Sequence, residues 1–465
     1  MVLLPTHQRV LSPTCWLLCV QQCFAESAMS AGLKVGTRRL DLAKRTALEM
    51  GFVAYGGEWN PDFTLEGVCA AARPPPLLPD EVKRRLEHEK TFTSQVDVGV
   101  VDKLYRGFFD SAARFATRLD FHGSAWGSQE VQQLVGVLPS FVALTALDLS
   151  ENHLGAADAQ EILGAGSANV NSVLSSWSLA FNQMFSDAAA EKNQKPSVAT
   201  GIKAIAAALQ GSSGLTTCTL IKNALDVESA TMLAKVGSEK CIMLSGMRRD
   251  QTEANFKGQG LKPADAILIA SDLPLMAGMT VCNLLKNNLG AEAAKMLAKV
   301  GTEKRIMLSG IKHDQTEANF RGQSLKPADG ILIASDIRIS AVLTSVNILA
   351  NEFDRETAEM FLKVKKDKDK DRYVYKKECS ALTTLCGIKP GQTEASFEGW
   401  GLRAHDALLL ADELAGSSVL KTDCALPVDS VLTSLDLHCN DIGSAGALAI
   451  AEALKSGRSV LTNLE

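Results

Sequence analysis

Aromatic side chains are scarce in this sequence, 5% of 465 residues, which argues against an aromatic-lined small-molecule pocket and for an aliphatic interior. Histidine is scarce as well. The seven are dispersed, and no phosphate-binding loop, kinase signature, nucleophile elbow, zinc-protease helix or calcium loop accompanies them. Catalysis therefore has no anchor: the reading is of a non-enzyme that needs no cofactor and no metal. An excess of positive charge is missing too. The 48 Lys and Arg face 53 Asp and Glu, for a net charge of −5, and this leaves no electrostatic footprint for nucleic acid. The N-terminal apolar run Cys15–Val20 makes a poor signal peptide and is far shorter than the roughly 20 residues needed to cross a bilayer, so membrane insertion is not expected. The eleven cysteines are odd in number and lack paired zinc-type spacing, and no Asn-x-Ser/Thr acceptor occurs. Reduced thiols and a cytoplasmic location follow as expectations.

What is present is repetition. A chain of 465 residues exceeds one ordinary core, so it must be several domains or a repeat array. Residues 232–273 and 296–337 nearly copy one another, and a third copy begins at LCGIKPGQTEASFEGWGL. Inside this long period lies a shorter unit, clearest as LTALDLSENHL at Leu144–Leu154 and LTSLDLHCNDI at Leu432–Ile442. It reads L-x-x-L-x-L-x-x-N-x-L and then becomes helical. The same frame fits Leu174–Met184, Leu215–Leu225, Met279–Leu289 and Leu343–Phe353, and more loosely Ala116–Trp126 and the three QTEA segments at Gln251, Gln315 and Gln392. About ten units result, more than the three or so that a solenoid requires.

Each position of the frame has a physical reading. Alternating apolar residues such as Leu147 and Leu149 mark a short strand buried on one face, predicting parallel strands at 145–150, 216–221, 280–285, 344–349 and 433–438, adjacent along one curved sheet. Asp148, Asn283, Asn347 and Asp436 should look outward from the strand centres as candidate contact residues. Ile221, Leu285 and Leu349 occupy the next outward position and predict an apolar stripe that a partner, or extra strands near Ile242–Met247 and Ile306–Ile311, would cover. The recurrent Asn152, Asn182, Asn223, Asn287, Asn351 and Asn440 stand where each strand turns away, and their amides can bond adjacent units as an internal ladder. Segments such as Ala293–Val300 and Ala445–Leu454 carry apolar residues at helical spacing and should pack behind the strands. Cys218 and Cys282 fall at buried positions, where a thiol acts as a small hydrophobe. His122 and His438 fall at variable positions, as solvated contact residues.

These units resemble leucine-rich repeats of the ribonuclease-inhibitor type. The resemblance implies an α/β solenoid, a curved horseshoe with parallel strands on its concave face and helices on its convex face. It also implies a scaffold that binds a partner protein through the concave strands. Two other readings are similar in kind: a regulator of a small GTPase resembling Ran GTPase-activating protein, and the sensing repeats of a larger receptor-like protein. Some positions depart from the pattern. Gln259 and Gln323 replace the ladder Asn, and Trp400, with one donor and no acceptor, should break the ladder.

The expected organisation has three parts. Residues 1–79 form an irregular region with a Pro-rich linker, 80–115 a helical N-terminal cap, and 116–465 the solenoid. A basic insertion near 363–377 reads as a solvated loop or a docking patch for an acidic partner.

Overall fold

The computed structural model describes residues 38–40, 70–72, 75–88, 95–168, 174–182, 198–375, 382–389, 391–415, 432–455 and 461–465. Most of the N-terminal region expected to be irregular lies outside the described residues, except for an antiparallel pair, β1 (Arg38–Leu40) with β2 (Ala70–Ala72), and the stretch 75–79. The chain divides into two compact units, Met1–Gly246 and Met247–Glu465.

In the first unit, helices α1 (Pro79–His88) and α2 (Gln95–Phe115) pack together ahead of the repeats. The Tyr105 hydroxyl donates to the Leu77 carbonyl at 2.7 Å, and Phe109 meets Phe141 edge-on at 5.9 Å, so α2 lies against the first repeat. Four strands follow in parallel and in sequence order: β3 (Arg118–Asp120), β4 (Ala146–Asp148), β5 (Ser176–Ser178) and β6 (Thr217–Thr219). In register across them, Leu119, Leu147, Trp177 and Cys218 form one buried row. Parallel neighbours need a crossover. Helices α3 (Ser128–Val137), α4 (Ala156–Ala168) and α5 (Val198–Gly211) supply it, and α6 (Val227–Lys240) follows β6. Their inward residues recur at helical spacing, as in Val131, Leu134 and Val137, or Ile202, Ile205 and Leu209.

The second unit repeats the scheme. Strand β7 (Glu253–Asn255) pairs with β8 (Val281–Asn283), β9 (Glu317–Asn319) with β10 (Ser345–Asn347), and β11 (Glu394–Ser396) with β12 (Ser434–Asp436) and β13 (Asn463–Leu464), all in parallel. Helices α7 (Pro263–Asp272), α8 (Ala291–Lys304), α9 (Pro327–Ile339), α10 (Arg355–Tyr375), α11 (Ala404–Leu414) and α12 (Gly443–Lys455) alternate with them, each touching the next. The architecture is an α/β leucine-rich-repeat solenoid.

Two expectations change. The strands read at 145–150 and its equivalents are parallel but only three residues long. They are also not direct neighbours in the second unit, because a QTEA strand precedes each of 344–349 and 433–438 and the duplicated block adds a further rung after 280–285 and 344–349. Cys282 N–H donates to the Met307 carbonyl at 2.7 Å and Leu284 N–H to that of Leu308 at 2.9 Å. The third copy repeats this with Val346 and Ile348 against Thr384 and Leu385. The basic insertion, read as a solvated loop, is helical through Tyr375. Phe361, Val364, Lys365 and Lys368 share one buried face at i, i+3, i+4 and i+7. The Lys365 ammonium lies 3.1 Å from Asp412 and 3.9 Å from Glu413, and the Lys368 ammonium donates to the Ser340 carbonyl.

Candidate functional site

Where each strand ends, the recurrent asparagines join one unit to the unit before or after it. The Asn152 amide nitrogen donates to the carbonyls of Phe121 and Leu149, at 3.0 Å each, while its oxygen accepts from Trp126 N–H at 2.9 Å. Asn182 and Asn223 continue the row to the carbonyls of Leu149 and Leu179. In the second unit Asn287 reaches Phe256 O at 2.8 Å, Asn351 reaches Phe320 O at 2.9 Å and Asn440 reaches Phe397 O at 2.8 Å. Each also accepts from the backbone N–H of Leu261, Leu325 or Leu402 in that order. The substituted positions behave differently. Gln259 and Gln323 turn their amides back onto Asn255 O and Asn319 O of their own strands. Trp400 packs edge-on against Phe397 at 4.8 Å instead, and the Arg321 guanidinium lies 3.3 Å above its ring.

The residues read as outward contacts are half-exposed, and each has a local task. Asp148, Asn283, Asn347 and Asp436 accept a hydrogen bond from the backbone N–H two residues on, at 3.1, 3.2, 3.2 and 2.9 Å. This Asx turn bends the chain out of the strand. Asn283 and Asn347 are also crowded by the inserted rungs. A Cβ added at Gly310 would stand 2.6 Å from Asn283 Nδ2, and one at Gly387 would stand 2.7 Å from Asn347 Nδ2.

The apolar stripe is a correction. Ile221 is 5% exposed, and Leu285 and Leu349 are 0% exposed, so no exposed line of apolar side chains exists at these positions. Alternation of faces holds only while the backbone stays extended. Here the next residue is left-handed: Lys222 and Lys286 have φ +60° and Ala350 has φ +58°. The chain leaves the strand, and the side chain expected outside falls into the interior.

What is exposed lies instead on the QTEA strands. Glu253, Glu317 and Glu394, then Asn255, Asn319 and Ser396, then Lys257, Arg321 and Glu398, present three polar rows to solvent. Long side chains bridge these units: Lys257 Nζ lies 3.2 Å from Gln323 Oε1, and Arg321 covers Trp400. The glutamines that open these segments are clamps. Gln251, Gln315 and Gln392 each donate to the carbonyl of the following Glu at 2.6, 2.6 and 2.7 Å and accept from the N–H of Arg248, Lys312 or Lys389.

Sequence reasoning missed a second row, at the start of each strand. The hydroxyls of Thr145, Thr216, Thr280, Thr344, Thr383, Thr433 and Thr462 all donate to the carbonyl of the equivalent Thr or Ser one rung earlier. The recurring Leu-Thr and Gln-Thr pairs were its signal.

Behind the strands the titratable groups serve structure. Asp336, in the last turn of α9, accepts from the N–H groups of Leu308 and Ser309 and from the Ser309 hydroxyl at 2.6–2.9 Å, holding the inserted rung. Burial pushes its carboxyl up to about 7, against those hydrogen bonds. Glu413 holds the third copy in the same way, accepting from Leu385 N–H and the Thr384 hydroxyl. Burial also pushes the Cys218 and Cys282 thiols up to about 12.

The fold is one of repeated strand-and-helix units, with polar rows exposed on the QTEA strands of the second unit. The leucine-rich-repeat family model matches residues 144–163 and 428–451. No curated protein matches it. Among solved structures it is similar to an internalin, inlF, of Listeria monocytogenes, at 12% identity over 83% of this chain and 87% of that one, with a TM-score of 0.25. Among the described residues no helix is long and apolar enough to cross a membrane.

Proposed function

We propose that this chain is a non-catalytic scaffold that binds a partner protein through its strand face, in the manner of ribonuclease-inhibitor-like repeats and in the cytoplasm. The observation that carries the reading is the exposed polar rows of the QTEA strands, led by Glu253, Glu317 and Glu394 and flanked by Lys257 and Arg321. Their backbones are held by Thr and Gln hydrogen bonds, so the side chains are presented on a preorganised surface, and docking loses little conformational entropy. Mixed charge on such a face favours specificity and association rate over raw affinity. Within the second unit Asn283, Asn347 and Asp436 contribute from the strands that alternate with the QTEA strands, and Asp148 is a separate contact candidate of the first unit. Ile221, Leu285 and Leu349 belong to the core and leave the proposal. The test is quantitative affinity capture from the native source, comparing the wild-type chain with Glu253→Lys, Glu317→Lys, Glu394→Lys. The specific partner should fall at least tenfold in the triple variant while circular dichroism stays native. Undiminished capture removes the strand face as the binding surface.

A further inference from the structure

At the C-terminal end of the second unit, three donor side chains meet on the turns that follow β11 and β12. Glu398 leaves β11, and His438 and Cys439 leave β12. The carboxylate oxygen, imidazole nitrogen and thiol sulfur all lie within 4.8 Å of one another. The Cys439 sulfur is 3.1 Å from His438 Nδ1, and a Glu398 oxygen is 3.9 Å from the same nitrogen. Tetrahedral zinc, with bonds of roughly 2.0–2.3 Å, sets its ligand atoms about 3.5 Å apart, so only side-chain rotations are needed to close this triangle around an ion. We propose that Glu398, His438 and Cys439 bind a zinc-class divalent transition metal.

The backbone that carries the donors is already fixed. Gly399 N–H donates to the His438 carbonyl at 3.0 Å, tying the two turns together. His438 N–H is held by Asp436 at 2.9 Å, and Asn440 Nδ2 reaches the His438 carbonyl at 3.3 Å. Cys439 has φ +57°, the left-handed conformation that every unit uses at this place, here occupied by a metal-binding side chain. Thiolate and imidazole select for zinc-like ions over magnesium and calcium, and the carboxylate completes a three-ligand set that leaves a fourth position open for water or another donor. The strands β11, β12 and β13 carry Glu394 and Asp436 and no Lys or Arg, Glu465 follows them, and the Arg321 guanidinium is turned onto the Trp400 ring. The corresponding turns elsewhere in this unit offer Lys257-Gly258, Leu285-Lys286, Arg321-Gly322 and Leu349-Ala350, none of which is a ligand set. Among the described residues no other three such donors come this close.

The experiment is titration of the full chain with Co(II), read by absorption, followed by displacement with Zn(II). One equivalent of Co(II) should give a thiolate-to-metal charge-transfer band that Zn(II) removes. Cys439→Ser should abolish the band. His438→Ala and Glu398→Gln should each weaken binding by at least the roughly 10–100-fold that loss of an outer-shell partner costs. All three side chains are exposed, so the metal-free variants should melt as the wild type does, which separates lost ligation from lost folding. Absence of the band, its persistence in Cys439→Ser, or unchanged affinity in both other variants overturns the site.

Discussion

At the residue scale, the asparagines bear the sharpest consequences. Asn287 is buried, donates to carbonyls of two units and accepts from Leu261 N–H, so Asn287→Ala leaves buried backbone groups without partners on both sides. The expected loss is about 1–3 kcal/mol in denaturant melts, and an unchanged midpoint contradicts the geometry. Asp336 supplies a pH dependence. Its folded value of about 7 lies above the ordinary 3.8, so between these limits the folded state holds a proton that the unfolded chain has released. Stability from this group therefore falls as pH rises through that window, by at most about 1.4 kcal/mol per pH unit. The stability difference between wild type and Asp336→Asn should shrink from pH 5 to pH 8 in matched melts, and growth of that difference would contradict the assignment.

At the scale of the element, the frame L-x-x-L-x-L-x-x-N made the strands and their crossover helices legible because burial with period two and burial at helical spacing leave different patterns in sequence. The limits of that reading are equally physical. Leu285 and Leu349 looked outward because alternation was extended one residue past the point where Asn283 and Asn347 turn the chain. Leu285→Asp should therefore act as a core mutation, lowering stability by at least about 3 kcal/mol in thermal or denaturant melts; a native melt would restore the exposed stripe. The insertion was misread for a different reason. Alternating Lys and Asp suggest a solvated loop, but the Asp412 that receives Lys365 stands 47 residues away in sequence and no local pattern announces it. The triad of Glu398, His438 and Cys439 was hidden in the same way, since Glu398 and His438 lie on different rungs that only the register of β11 with β12 brings together.

At the scale of the whole molecule, each unit is a stack of rungs with apolar residues inside and threonines at the start of the strand, and with asparagines at its end wherever Gln259, Gln323 and Trp400 do not replace them. A repeat array of this kind draws its stability from nearest-neighbour interfaces, which leaves the outer face of the strands with few structural duties. In the second unit that freedom belongs to Glu253, Glu317 and Glu394 and not to the apolar residues of the intervening rungs. Hydroxyl-radical footprinting of the intact chain, read by mass spectrometry with and without the captured partner, tests this division most directly. The account predicts that Glu253, Glu317 and Glu394 are modified in the unbound protein and protected in the complex, while Leu285 and Leu349 stay unmodified in both. Modification of the two leucines in the folded protein, or partner-independent labelling of the three glutamates, would contradict it.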